Sequence, residues 1–458
     1  MDIPTLRLRA AVDLLARAVP IIPVRSLDQP SGPVSISGDG HRFVARASAN
    51  ASRIQISFEA EGLNLPEATV DLPALKKALQ EMKKHKSLRL RVSGKRKPSL
   101  VISTQENSDE EIVHGVDDRD PVSGPPKGGE IHLAELQPDQ ASFLLGWLSE
   151  TLPTWKQAEN KPIIQGVTIR ANGGWWATDG VRLHHRHGGL GLVSQDAMLP
   201  LGCALALAEA VDLGLESALK IEIHRSKKQD EIYFAVRAGT PKTGSLLVET
   251  WAVLQEVPLE KDDDRKTPKT LDDLMQKWAA TPEAVTVLLP RGDLTTALKD
   301  CSVDILARKA TNHKGEPITA FWFYPDGQGG AAMQYTTADE DDEQVPEDSR
   351  PGLCGRLHAF VEPRLEKPFG VQLNAQLLLQ AINGVPAECQ WVRLFFHAGP
   401  PVSDPVYIDG YGEHAIAQSF AYLMPCQGRY YDDNQAARNA AKKAVEDQQN
   451  TQQGGPTR

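Results

Sequence analysis

A chain of 458 residues with 41% hydrophobic content is long enough for about three domains of ~150 residues, each burying a core. Its formal net charge of -10 argues against a protein that coats nucleic acid through global electrostatics, while leaving room for local basic patches. No run approaches the ~18 apolar residues of a membrane span.

In chain order, the opening "MDIPTLRLRAAVDLLARAVPIIPVR" carries charge throughout, so neither signal peptide nor anchor is expected, and "LRAAVDLLARAV" reads as a helix. The segment "DLPALKKALQEMKKHK" (71–86) places Leu72, Leu75, Leu79 and Met82 at three- and four-residue spacing, an amphipathic helix with lysines on its other faces. An alternating strand, "SLRLRVSG", follows directly, then a turn and a second strand, "PSLVIST". The same order recurs twice: "LGCALALAEAVDLGLES", "ALKIEIHRS" and "EIYFAVRAG", and again "LNAQLLLQAINGVPAE", "WVRLFFHAGP" and "PVYIDGY". Upstream of the second and third copies lie further helical stretches, "LQPDQASFLLGWLSETL" and "GDLTTALKDCSVDIL", with strand-like runs such as "PIIQGVTIRANGGWWAT" between the helices. The pattern predicts an α+β chain of three repeated units, each with two helices and several antiparallel strands.

Composition changes mark the boundaries. Unit one spans 1–120 and unit two 128–258, separated by the Pro, Gly and Asp-rich "VDDRDPVSGPPKGGE". A linker, 259–283, leads to unit three at 284–433, within which the acidic run 338–352 reads as a solvated loop. The polar tail 434–458 is expected to be disordered.

Residues that could carry catalysis are sparse. Cys203, Cys301, Cys354, Cys389 and Cys426 stand far apart with no CxxC pair, the pattern of a cytoplasmic chain with reduced thiols and no zinc. "DGQGGAA" (326–332) lacks the Lys-Ser/Thr ending of a phosphate loop. His184, His185 and His187 crowd together, but neighbours on a strand point to opposite faces, which disfavours a shared metal. Asp179-Gly180 is the dipeptide a tight hairpin demands and needs no catalytic explanation. No cofactor and no enzyme activity are expected.

That turn lies in "WWATDGVRLHHR". Together with "KPIIQGVTI" before it, and with "PVYIDGY" and "FAYLMPCQ" near the other end, it resembles the beta subunit of bacterial DNA polymerase III, the DNA sliding clamp, as a divergent member. The resemblance implies three clamp-type domains that dimerise head to tail into a six-domain ring around double-stranded DNA, without reading its sequence. It further implies a pocket between domains two and three that takes short linear peptides of DNA polymerase and the clamp loader. Carried over residue by residue, Ile164, Thr178, Gly180, Val181, Arg182 and Leu183 form one wall, and Pro405, Tyr422, Leu423, Met424 and Pro425 the other. The chemistry suits such a ligand: Leu183, Ile164 and Met424 offer apolar walls, and the Arg182 stem lines a groove while its head reaches a peptide carbonyl or carboxylate. DNA-facing candidates are Arg25, Lys76, Lys77, Lys83, Lys84 and Lys299. The alternative is a clamp-fold protein that binds peptides without enclosing DNA.

Overall fold

The computed structural model describes residues 2–19, 32–49, 51–94, 97–104, 109–116, 126, 130–152, 165–178, 182–187, 191–225, 230–240, 242–257, 284–307, 320–325, 330–335, 352–362, 371–385, 389–397, 406–411 and 419–423. Two compact units result: the first from 1–179 with 186–258, the second from 180–185 with 259–458.

The element order repeats three times. The first pass is β1 (Asp2–Pro4), α1 (Thr5–Ala18), β2 (Pro33–Asp39), β3 (Arg42–Ala49), β4 (Ser52–Glu59), β5 (Asn64–Asp71), α2 (Leu72–Glu81), β6 (Ser87–Ser93), β7 (Ser99–Ser103) and β8 (Glu110–Val113). The second is β9 (Glu130–Leu136), α3 (Pro138–Thr151), β10 (Gly166–Ile169), β11 (Gly174–Thr178), β12 (Arg182–His187), β13 (Ala197–Pro200), α4 (Leu201–Asp212), β14 (Leu219–Arg225), β15 (Asp230–Ala238), β16 (Leu246–Val253) and β17 (Gln255–Glu256). The third is β18 (Ala284–Pro290), α5 (Arg291–Ala307), β19 (Ala320–Pro325), β20 (Gly330–Tyr335), β21 (Gly352–His358), β22 (Phe360–Glu362), β23 (Val371–Asn374), α6 (Ala375–Asn383), β24 (Trp391–His397), β25 (Val406–Tyr411) and β26 (Ser419–Leu423). The mixed architecture and the antiparallel pairing agree with the expected α+β class.

Local chemistry explains the elements. Helix α1 buries Leu8, Ala11, Val12 and Leu15, one stripe at helical spacing. Helix α2 takes Pro73 in its first turn, where a missing N–H costs nothing, and buries Leu72, Leu75 and Leu79. The helix anticipated across 71–86 ends at Glu81; Met82–Lys84 tighten into a 3-10 turn before His85 turns extended. Asn374 caps α6 by accepting a hydrogen bond from the Leu377 N–H at 3.1 Å. Between β10 and β11, Asn172-Gly173 makes the reversal, with Gly173 at φ 85°, a value that favours glycine.

Three repeats yet two units have a simple cause. Strand β4 pairs with β16 from Ser52↔Ala252 to Ser57↔Leu247, so the first two repeats share one eight-stranded sheet, β5-β2-β3-β4-β16-β15-β14-β9. Helix α4 packs against both α1 and α3 beneath it. A single apolar core follows, running from Leu8 and Phe43 to Leu207 and Phe234. Being enclosed on several sides, α4 buries Leu201, Cys203, Ala204, Ala206, Leu207 and Ala210, and its charged residues are the acidic Glu209 and Asp212. In the second unit, Val285, Val287, Leu289, Val392, Leu394 and Phe396 of β18 and β24 form a separate core with Leu378 and Ile382 of α6.

Candidate functional site

In the second unit the strand order runs β12-β26-β25-β24-β18-β22. Strand β26 takes its register from β25, with Tyr407 opposite Tyr422 and Val406 opposite Leu423. Thus Arg182 and Leu183, at the start of β12, and Tyr422 and Leu423, at the end of β26, lie on neighbouring strands although the chain separates them widely. Along β12 the faces alternate: His184 and Arg186 are buried, Leu183 and His185 half-buried. His184 packs toward α6, where a side chain at Gly384 would come within 3.6 Å of its Nδ1. These histidines therefore split between faces. Thr178 closes β11 and is half-buried. Ile164, Gly180, Val181, Pro405, Met424 and Pro425 lie outside the described residues, as does the Asp179 turn.

The basic candidates divide. Lys76 and Lys77 are exposed on α2, Lys83 and Lys84 in the turn after it, and Lys299 on α5; Arg25 lies outside the described residues. Lys76 Nζ is paired with Asp13 Oδ1 at 3.0 Å, and Lys84 Nζ with Asp109 Oδ2 at 3.2 Å. Lys84 and His85 hold the Asp109 carboxyl below its usual range. Arg9 and Arg17, absent from the sequence-level candidates, complete this surface; their i, i+8 spacing on α1, with Asp13 midway, was the signal available. Arg17 meets Glu209 at 2.7 Å and Asp212 at 3.6 Å on α4, and Glu209 raises the guanidinium above its ordinary value. Burial pushes the Glu209 carboxyl up, even though Arg17 pulls it down. Between α1 and α2 a cleft of about 440 Å³ is lined by Arg9, Val12, Asp13, Lys76, Lys77 and Glu81. This helical surface mixes signs rather than presenting a basic stripe.

Among the described residues no cluster of His, Cys, Asp and Glu is arranged to hold a metal. The Cys203 thiol is fully buried, and burial pushes it up to about 12, far from a nucleophile's range.

Comparison with known proteins places the fold. No family model and no curated protein matches the sequence. Solved structures do match. The DNA polymerase III beta subunit from Thermotoga maritima is 14% identical, with TM-score 0.57 over 93% of this chain and 99% of that one. The sliding clamp from Bartonella birtlesii, bound to griselimycin, is 14% identical with TM-score 0.58 over the same shares. The Helicobacter pylori beta clamp, bound to a DNA ligase peptide, is 13% identical with TM-score 0.55 over 93% and 100%. At such identities what is shared is architecture, and on it the resemblance read from "WWATDGVRLHHR" and "FAYLMPCQ" converges: this chain has the sliding-clamp fold of the DNA polymerase III beta subunit.

Proposed function

We propose that the chain is a non-catalytic processivity factor, three clamp domains (1–120, 128–258 and 284–433) whose homodimer encircles duplex DNA and tethers polymerase through the pocket around Arg182, Leu183, Tyr422 and Met424. One observation carries it. In the first unit β4 pairs with β16, the strand that ends the second repeat's run β14-β15-β16; in the second unit β12, which corresponds to β4, lies beside β26, which corresponds to β16. By the same rule β21 should pair with β8. Among the described residues β21 has its neighbour only on the β20 side and β8 only on the β7 side. A second copy supplies each edge with its complement, and a twofold axis makes both junctions at once.

The test is loading onto nicked circular DNA with a clamp loader. Retention that is lost when the circle is linearised supports enclosure; retention unaffected by linearisation sinks it. For the pocket, the DNA ligase peptide that the Helicobacter pylori clamp binds is the probe. Leu183→Asp should weaken its binding at least ~10-fold by fluorescence anisotropy, since a buried carboxylate opposes an apolar anchor.

The paired charges on α1, α2 and α4 favour a second reading, peptide capture without enclosure, because Asp13, Glu209 and Asp212 neutralise the cations a DNA lining needs. The two readings differ in salt response. Asp13→Asn with Glu209→Gln and Asp212→Asn releases Lys76 and Arg17, and in a DNA-lining face this should steepen the slope of log K against log salt by about two. An unchanged slope favours the second reading.

A further inference from the structure

We propose that the aromatic face of the second unit's sheet is an extension of the peptide pocket, docking a partner segment with aromatic or proline side chains beyond the part the pocket holds. The proposal rests on the pocket reading above.

The two faces of this sheet differ sharply. On one, Val285, Val287, Leu289, Val392, Leu394, Phe396, Val406 and Ile408 are completely buried. On the other, strands β22, β18, β24 and β25 align Phe360 with Leu288 and Arg393, and Trp391 with Tyr411, while Phe395 sits opposite Tyr407. Phe360 and Tyr411 are 51% and 46% exposed, unusual for large apolar groups, and Trp391, Phe395 and Tyr407 are half-buried between them. The rings brace one another: Phe360 and Trp391 centroids are 5.6 Å apart, and Phe395 meets Tyr407 edge-on at 5.2 Å.

Arg393 stands at the centre. Its Nε donates to Asp409 Oδ1 at 2.9 Å and its Nη2 to Oδ2 at 2.6 Å, while its guanidinium lies 4.7 Å from the Phe395 centroid and 5.5 Å from that of Tyr411. A preformed set of Trp, Tyr, Phe and Arg is the composition of a binding hot spot, and braced rings lose little entropy on docking. The occupant follows from charge. Asp409 neutralises Arg393, and the exposed Glu362 adds a negative charge on β22 at the edge of the face, so the described charges of this face do not draw a phosphate backbone; an uncharged, ring-bearing peptide segment fits.

Continuity with the pocket sets the reach. Tyr407, at one margin of the face, is opposite Tyr422 of the pocket strand. From β26 to β22 the order β26-β25-β24-β18-β22 crosses four strand spacings. At ~4.8 Å each this is ~19 Å, spanned by about six extended residues.

The experiment uses the full chain and the DNA ligase peptide followed or preceded by eight randomised positions, selected by display. Selected flanks should be rich in Trp, Tyr, Phe or Pro and bind at least ~10-fold tighter than the unextended peptide. Phe360→Ser with Tyr411→Ser, both exposed sites, should abolish that gain and leave the unextended peptide within about twofold. If the unextended peptide fails to bind, or binds Leu183→Asp equally well, the pocket reading falls and this extension with it. If that control behaves but flanks show no ring preference, or the double variant keeps the gain, the extension alone is overturned. Loss in the double variant of oligo-dT binding or of self-association, with extended-peptide affinity unchanged, also overturns it, in favour of nucleic acid or a second copy.

Discussion

Replacing Ile112 with arginine should turn a dimer of this chain into a monomer. Ile112 lies on edge strand β8, opposite Val101 of β7, and is 51% exposed although Val101 is buried. A large apolar side chain exposed on an edge strand is an aggregation hazard unless something covers it, and pairing with β21 of a second copy would do so. Covering an isoleucine contributes about 1.5–3 kcal/mol, and burying an uncompensated arginine instead adds a desolvation penalty. At about 3 kcal/mol for each of two junctions, the dimer Kd should rise roughly 10⁴-fold. Sedimentation across a concentration series measures this. Wild type should run near twice the 50.1 kDa chain mass and Ile112→Arg near that mass. A monomeric wild type at every concentration, or an undisturbed dimer in the variant, removes the ring.

Replacing Asp409 with alanine should destabilise the second unit by about 2–3 kcal/mol, because it strips a buried carboxylate from its bidentate guanidinium partner. The full penalty of a buried unpaired charge does not apply, since the Arg393 side chain is 32% exposed and can recover some hydration. Removing both charges should cost less than removing one. Arg393→Leu with Asp409→Leu should recover at least half of the loss in the urea midpoint of the second unit, followed by fluorescence in variants that keep Trp391 as the sole tryptophan. A single variant within about 0.5 kcal/mol of wild type, or a double variant worse than the single, would show that the pair does not brace this face.

Much of the repeat was readable from spacing alone. Leu72, Leu75 and Leu79 mark α2, whereas "WVRLFFH" reads as a strand with apolar residues on both faces, and burial rather than spacing separates Val392, Leu394 and Phe396 from Trp391, Arg393 and Phe395. The candidate site was only half accessible this way. A short motif placed Arg182 and Leu183 on a strand after a turn, yet no periodicity could put that strand beside Ser419–Leu423. The salt-bridged state of Lys76 was equally hidden, since Asp13 sits on another helix.

The sequence by itself determined the threefold order of helices and strands and the inward stripe of α2, because helical and strand periodicities act over a few residues. Only the tertiary structure decided which strands meet. Gln55 donates to Glu249 across 194 positions where β4 joins β16, fusing two repeats into one unit, and Phe360, Trp391, Arg393 and Tyr411 gather into one face only through register. Sheet pairing is chosen by the shape and burial of both partners together, and neither strand carries that information alone.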